Sequence, residues 1–214
     1  MTFPKINAQQ RTNVMFDEFQ DADHHKGTSP LQDLGIGMVS QFVLDYMHLV
    51  CLGVMRRLLW MWMKGPLPVR LSHSLQSQIS DCLVQSGSHF PSEFARKMRS
   101  LAEVDRWKAT EFRSFLLYCG PVVLKSHLRE DLYKHFLSLF VSVYIFLSPT
   151  LCTSLCDYAE QLLLYFVDNF KTIYGSEYLM YSVHSLIHLA DDVRHFGPLD
   201  NVSAFPFESY LYQL

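Results

Sequence analysis

The chain has 214 residues, 49% of them apolar, and a formal net charge of −3. That apolar content excludes general disorder, and the near-balanced charge excludes a bulk basic signature, so any nucleic acid must be met locally. Five cysteines, odd in number and set mostly in apolar helical patterns, argue against a disulfide framework and for reduced thiols in an intracellular protein.

Residues 1–33 are polar and irregular and read as an arm or loop. Gly35 and Gly37 then mark a turn before Phe42-Val43-Leu44, a short apolar run that suits a buried strand. Asp45 follows at the corner. From there Met47, Cys51, Val54, Met55, Leu58 and Trp62 fall at helical spacing on one face, up to Lys64-Gly65-Pro66. Asp45 has two readings: a helix N-cap, or a carboxylate at the open end of a strand with His48 three residues on.

A second amphipathic helix carries Leu71, Leu75, Ile79, Cys82 and Leu83 and ends near Gly87. Further helices are expected over 105–118, with Phe112, Phe115, Leu116 and Cys119 inward, and over 130–147, apolar nearly all round in its second half and hence central. The apolar part of the latter, 136–147, is shorter than the roughly 20 residues of a membrane span, so no membrane is expected. Ser148-Pro149 opens a helix burying Leu155, Ala159, Leu162, Phe166 and Phe170, and a last long one covers 178–196. Three Gly-Pro pairs, at 65, 120 and 197, are each expected to close a helix through a left-handed glycine.

Four constellations could carry chemistry. Asp45 and His48 form the first. His184 and His188, four apart, could grip a metal ion, or could simply bond to neighbouring elements; position 185 is Ser, where zincin chemistry needs glutamate. In Phe205-Pro206-Phe207-Glu208, Glu208 is a carboxylate among aromatics, costly unless paired, coordinated or set against a helix dipole. Finally, Arg96, Lys97, Arg99, Arg106, Lys108 and Arg113 outnumber the three acids between them and alternate with Phe94, Trp107 and Phe112. They could hold phosphates or form a solvated face. Gly35-Ile36-Gly37 lacks the third glycine of a dinucleotide loop, and no P-loop is present.

Together, Asp23-His24-His25-Lys26-Gly27-Thr28-Ser29-Pro30-Leu31, Leu44-Asp45-Tyr46-Met47-His48-Leu49-Val50-Cys51-Leu52-Gly53-Val54, Val183-His184-Ser185-Leu186-Ile187-His188-Leu189 and Phe205-Pro206-Phe207-Glu208-Ser209-Tyr210-Leu211 resemble transposases of the CACTA (EnSpm) type. The resemblance runs from about residue 21 to the end. It implies an RNase H-like core in which three carboxylates hold two Mg²⁺ or Mn²⁺ ions for DNA strand cleavage and transfer, with a helical insertion between the second and third acids. Carried over by position, Asp45 is the second acid, His48 its companion and Glu208 the third. DNA as partner and a nuclear location follow from the resemblance as well.

One departure is expected. From Asp17 to Asp45 the chain is shorter than the on the order of 40 residues that three strands, a helix and their loops need. Asp17, Asp21 and Asp23 are poor substitutes for the first acid, so this chain is expected to bind no metal pair and to be inactive. The expected fold is mostly α, a helical insertion attached to a remnant of an RNase H-like α/β sheet. It divides into a polar arm (1–33), a strand-Asp-helix remnant (34–64), the helical insertion (65–200) and the start of a closing core helix (201–214). The alternative function is a non-catalytic helical module that binds a protein partner.

Overall fold

In a computed structural model of the chain, residues 10–21, 25–94 and 96–211 are described, and they form two compact units that divide between Leu44 and Asp45. Asp23 and His24 of the first motif, residues 1–9 of the arm and residues 212–214 of the closing segment lie outside the described residues.

The smaller unit is held by polar side chains. Its α-helix α1 (Asn13–Asp17) is capped by Thr12, whose hydroxyl accepts from Met15 N at 3.2 Å. The Asn13 side-chain carbonyl accepts from Val39 N and Ser40 N at 2.8 and 3.0 Å, closing the loop that carries Gly35 and Gly37. Asp17 accepts from Gln32 Nε2 at 3.0 Å, and the Phe16 and Phe19 rings lie against His25.

Phe42-Val43-Leu44 is not a strand, and no strand occurs among the described residues, so the expected RNase H-like sheet remnant is corrected. A lone extended run has no neighbour to take its backbone hydrogen bonds, and Phe42 is 48% exposed.

Among its described residues the larger unit is built of helices joined by loops. A π-helix, Met47–Met55, runs straight into α2 (Arg56–Lys64). Met47, Cys51, Val54, Met55, Leu58 and Trp62 are all buried, as their spacing predicts. After α3 (His73–Ser86), capped by Ser72, a 3₁₀ turn at Leu101–Arg106 leads to α4 (Ala109–Ser114).

There the expected stop at Gly120-Pro121 fails. A π-turn over Phe115–Cys119 carries the chain on into α5 (Gly120–Val123), with Gly120 N reaching Phe115 O five residues back. The wider winding takes the proline where an α-helix would clash. Gly65 ends its helix in an extended conformation, and of the three glycines only Gly197 has a positive φ, +80°, with ψ −157° rather than the left-handed helical value.

The core is the pair α6 (Glu130–Leu147) and α8 (Cys156–Tyr174), joined through the short α7 (Leu151–Ser154). His135, near the start of α6, meets Phe166, Phe170 and Tyr174 in the second half of α8, so the two helices run antiparallel. Trp62 of α2 packs edge-on against Phe136 and donates to the Tyr174 hydroxyl at 3.2 Å. Leu155, expected inside, sits at the kink before α8 and is 40% exposed.

The expected helix over 178–196 is three pieces: α9 (Tyr181–His184), a 3₁₀ turn (Ser185–His188) and α10 (Leu189–Phe196). The chain closes on α11 (Phe205–Leu211). Among the described residues no helix is long and apolar enough to cross a membrane.

Candidate functional site

The first turn of the Met47–Met55 helix has free N–H groups, and Asp45 meets them. Its Oδ1 accepts from Met47 N at 3.3 Å and its Oδ2 from His48 N at 2.8 Å. The cap reading of Asp45 is therefore correct. The same carboxylate does more, because Oδ2 also accepts from His48 Nδ1 at 2.5 Å and Oδ1 from the backbone N–H of Ala204 at 2.6 Å.

Ala204 immediately precedes α11, and that contact brings the closing segment to the helix start. Glu208 then stands one turn along α11, its Oε1 3.4 Å from His48 Nε2. His48 thus lies between two carboxylates, one on each ring nitrogen, with His48 and Glu208 both 57% exposed and Asp45 25%. The Tyr46 ring, next to Asp45 in the chain, is fully buried and lies tilted against Phe205, with centroids 6.2 Å apart. Burial holds the Tyr46 hydroxyl well above its ordinary pKa and pushes the neighbouring Cys51 thiol up to about 12. On the same side Arg113 pairs with Asp200 at 2.9 Å.

A carboxylate has about four lone-pair positions, and on Asp45 four N–H groups fill them. The site as arranged does not fit a two-ion centre, since a metal ligand must keep a lone pair for the ion. Among the described residues no group of three or more His, Cys, Asp or Glu side chains is placed to hold a metal ion. What the arrangement does is mechanical. It ties the entrance of α11 to the start of the long buried helix and fixes the His48 ring by its Nδ1–H.

His184 and His188 do meet, with ring centroids 5.9 Å apart, although a 3₁₀ turn separates them. The chain before them packs closely on the Met47–Met55 helix. A Cβ on Gly53 would lie 3.0 Å from Ser182 Cβ, so glycine permits that approach.

The expected phosphate-binding cluster is partly used inside the protein. Arg99 forks onto Glu111 with two bonds of 2.7 Å and also pairs with Glu103 at 3.5 Å, while Arg113 is taken by Asp200. Glu111 is 1% exposed and its third bond, 2.8 Å from Lys108 N, caps α4. Trp107 and Phe112 are buried core, not stacking platforms. Arg96, Lys97, Arg106 and Lys108 remain exposed.

One feature of the surface escaped the sequence. The Arg57 guanidinium lies 4.9 Å from the Trp60 ring centroid and 5.3 Å from that of Tyr178. Arg57 and Trp60 are one turn apart and could be paired by spacing; Tyr178 comes from a distant segment that no local pattern indicates. Comparison with protein-family models, with curated proteins and with solved structures finds no match to this chain.

Proposed function

We propose that the chain is a fragment or degenerate copy of a CACTA-type transposase core that no longer cuts DNA, with Asp45, His48 and Glu208 as the remainder of its catalytic site. The observation that carries this reading is their convergence. The motif residues Asp45 and His48 meet Glu208 and Ala204 from the far end of the chain, yet the Asp45 lone pairs are all taken by N–H donors. In the family these positions serve two-ion cleavage and transfer of DNA strands; here they fasten two helices. DNA remains the expected partner and the nucleus the expected location.

The test is nicking of supercoiled plasmid with Mg²⁺ or Mn²⁺, alongside duplex binding at low salt. The protein should bind duplex weakly and nick no more than its Asp45→Asn variant. Mn²⁺-dependent nicking that Asp45→Asn abolishes would show live chemistry, and a protein without any affinity for DNA would remove the reading altogether.

A second reading, a non-catalytic helical interaction module, is favoured by Tyr144 of α6 and Tyr158 and Tyr165 of α8, which are each half exposed. Self-association in sedimentation that Tyr158→Glu abolishes would support it.

A further inference from the structure

The structure assigns Arg57, with Trp60 and Tyr178, as a contact site for single-stranded nucleic acid, the guanidinium taking a phosphate and the part-exposed rings a base. Three observations lead there. The guanidinium is oriented by two aromatic faces, 4.9 and 5.3 Å away, and by no carboxylate among the described residues. Its Nε–H is buried without an acceptor among the described residues, an unmet donor on a group that is always charged. Among the described residues no carboxylate pairs with Arg57, and Asp105, which acts electrostatically on the neighbouring Arg56, is held by Lys64 at 2.6 Å.

The two terminal nitrogens of the fork, which meet no acceptor among the described residues, suit a phosphate oxygen pair, and Arg56 beside it is exposed and adds a second cation. The rings decide the class of partner. Trp60 and Tyr178 are both part-exposed, and Tyr181, on the same short segment, is 58% exposed. Unpaired bases stack on such rings, whereas bases inside a duplex are not available to them. By sequence alone, the six basic residues between 96 and 113 are the candidates for holding phosphates. Two of them, Arg99 and Arg113, are committed to Glu111 and Asp200.

The assignment rests on the reading of the chain as DNA-related, and it is tested with fluorescein-labelled oligodeoxythymidylate of about 12 nucleotides at about 50 mM salt. Of the three tryptophans Trp62 and Trp107 are buried, so quenching of tryptophan emission reports Trp60. Arg57→Gln and Arg57→Lys should each weaken binding ~10-fold, because lysine keeps the charge but not the stacked fork. Lys125→Gln, an exposed charge elsewhere, should change it less than about twofold, and Trp60→Phe should remove the quench with the fold intact by circular dichroism.

Equal losses for Arg57→Gln and Lys125→Gln, full binding by Arg57→Lys, or equal competition by a duplex would overturn the site. So would Arg57-dependent capture of a phosphoserine peptide in place of the oligonucleotide. A protein that binds duplex but ignores every Arg57 substitution sinks this assignment alone; one that binds no DNA of either form sinks the transposase reading with it.

Discussion

The backbone N–H of Ala204 donates to Oδ1 of Asp45 at 2.6 Å, across 159 positions of sequence. One carboxylate therefore caps the buried Met47–Met55 helix and tethers the closing segment. Replacing it tests both. Asp45→Ala removes every acceptor and should cost about 2 kcal/mol, the upper end of a lost N-cap, whereas Asp45→Asn keeps one oxygen and should cost less. Urea midpoints give the two values. Faster amide exchange at Ala204 in both variants would tie the loss to the tether, and unchanged exchange there would confine Asp45 to capping.

His135 sets a pH limit. Its ring is fully buried on Phe166, with Nε2–H donating to Phe166 O at 2.8 Å, and burial pushes its pKa down to about 4. The unfolded chain takes up a proton near pH 6.5, the native ring only near 4. Between these values the unfolded state binds more protons, so stability is complete above pH 6.5 and falls as pH drops toward 4, by about 3 kcal/mol. Urea unfolding at pH 7, 6 and 5 measures the slope. A His135→Phe variant should flatten it even if its absolute stability is lower; an unchanged slope would assign the pH dependence to other groups.

Gly120 reverses a usual rule. In most helix interiors Gly→Ala stabilises by about 0.5–1 kcal/mol. Here the new Cβ would stand 2.6 Å from Phe115 O and 2.9 Å from Phe136 Cζ, and the backbone oxygen cannot yield without undoing the π-turn. Gly120→Ala should destabilise, by about 1–3 kcal/mol as overpacking does. A raised melting temperature would show that the π-turn relaxes readily.

The five cysteines are all free thiols, and four of them are buried. Burial pushes Cys51 up to about 12 and Cys119 up to about 11, so neither offers a thiolate near neutral pH. Ellman's reagent at pH 8 should modify Cys82 first, with the rest reacting only on unfolding. Prompt reaction of Cys51 in the native protein would mean that the Met47–Met55 helix opens on that timescale.

The apolar spacing was a reliable guide wherever the periodicity was long. The bounds of α6 and the buried face from Met47 to Trp62 follow from it, and so does the end of α8 before Gly175. Short signals did less well. Phe42-Val43-Leu44 has strand composition but no partner, and a strand is a property of a pair. Gly120-Pro121 has the composition of a stop, which a π-turn overrides. The site was half legible: Asp45 and His48 are three apart, and Glu208 was conspicuous as a carboxylate among aromatics.

What the sequence by itself determined is the mostly helical fold and most of the core residues, with Leu75, Cys82, Leu155 and Leu162 expected inside but only part-buried or exposed; it also named Asp45, His48 and Glu208 among its candidate residues, because helical periodicity and the cost of a misplaced charge are local properties. Tertiary structure decided the rest. It brought Glu208 to His48 and filled the Asp45 oxygens with N–H donors. It also paired Arg99 with the buried Glu111 and Arg113 with the half-exposed Asp200, and set Arg57 between two rings with no acid partner among the described residues. Whether a charged side chain is a cap, a clamp or an open hand depends on which distant groups fold against it, and no spacing along the chain contains that information.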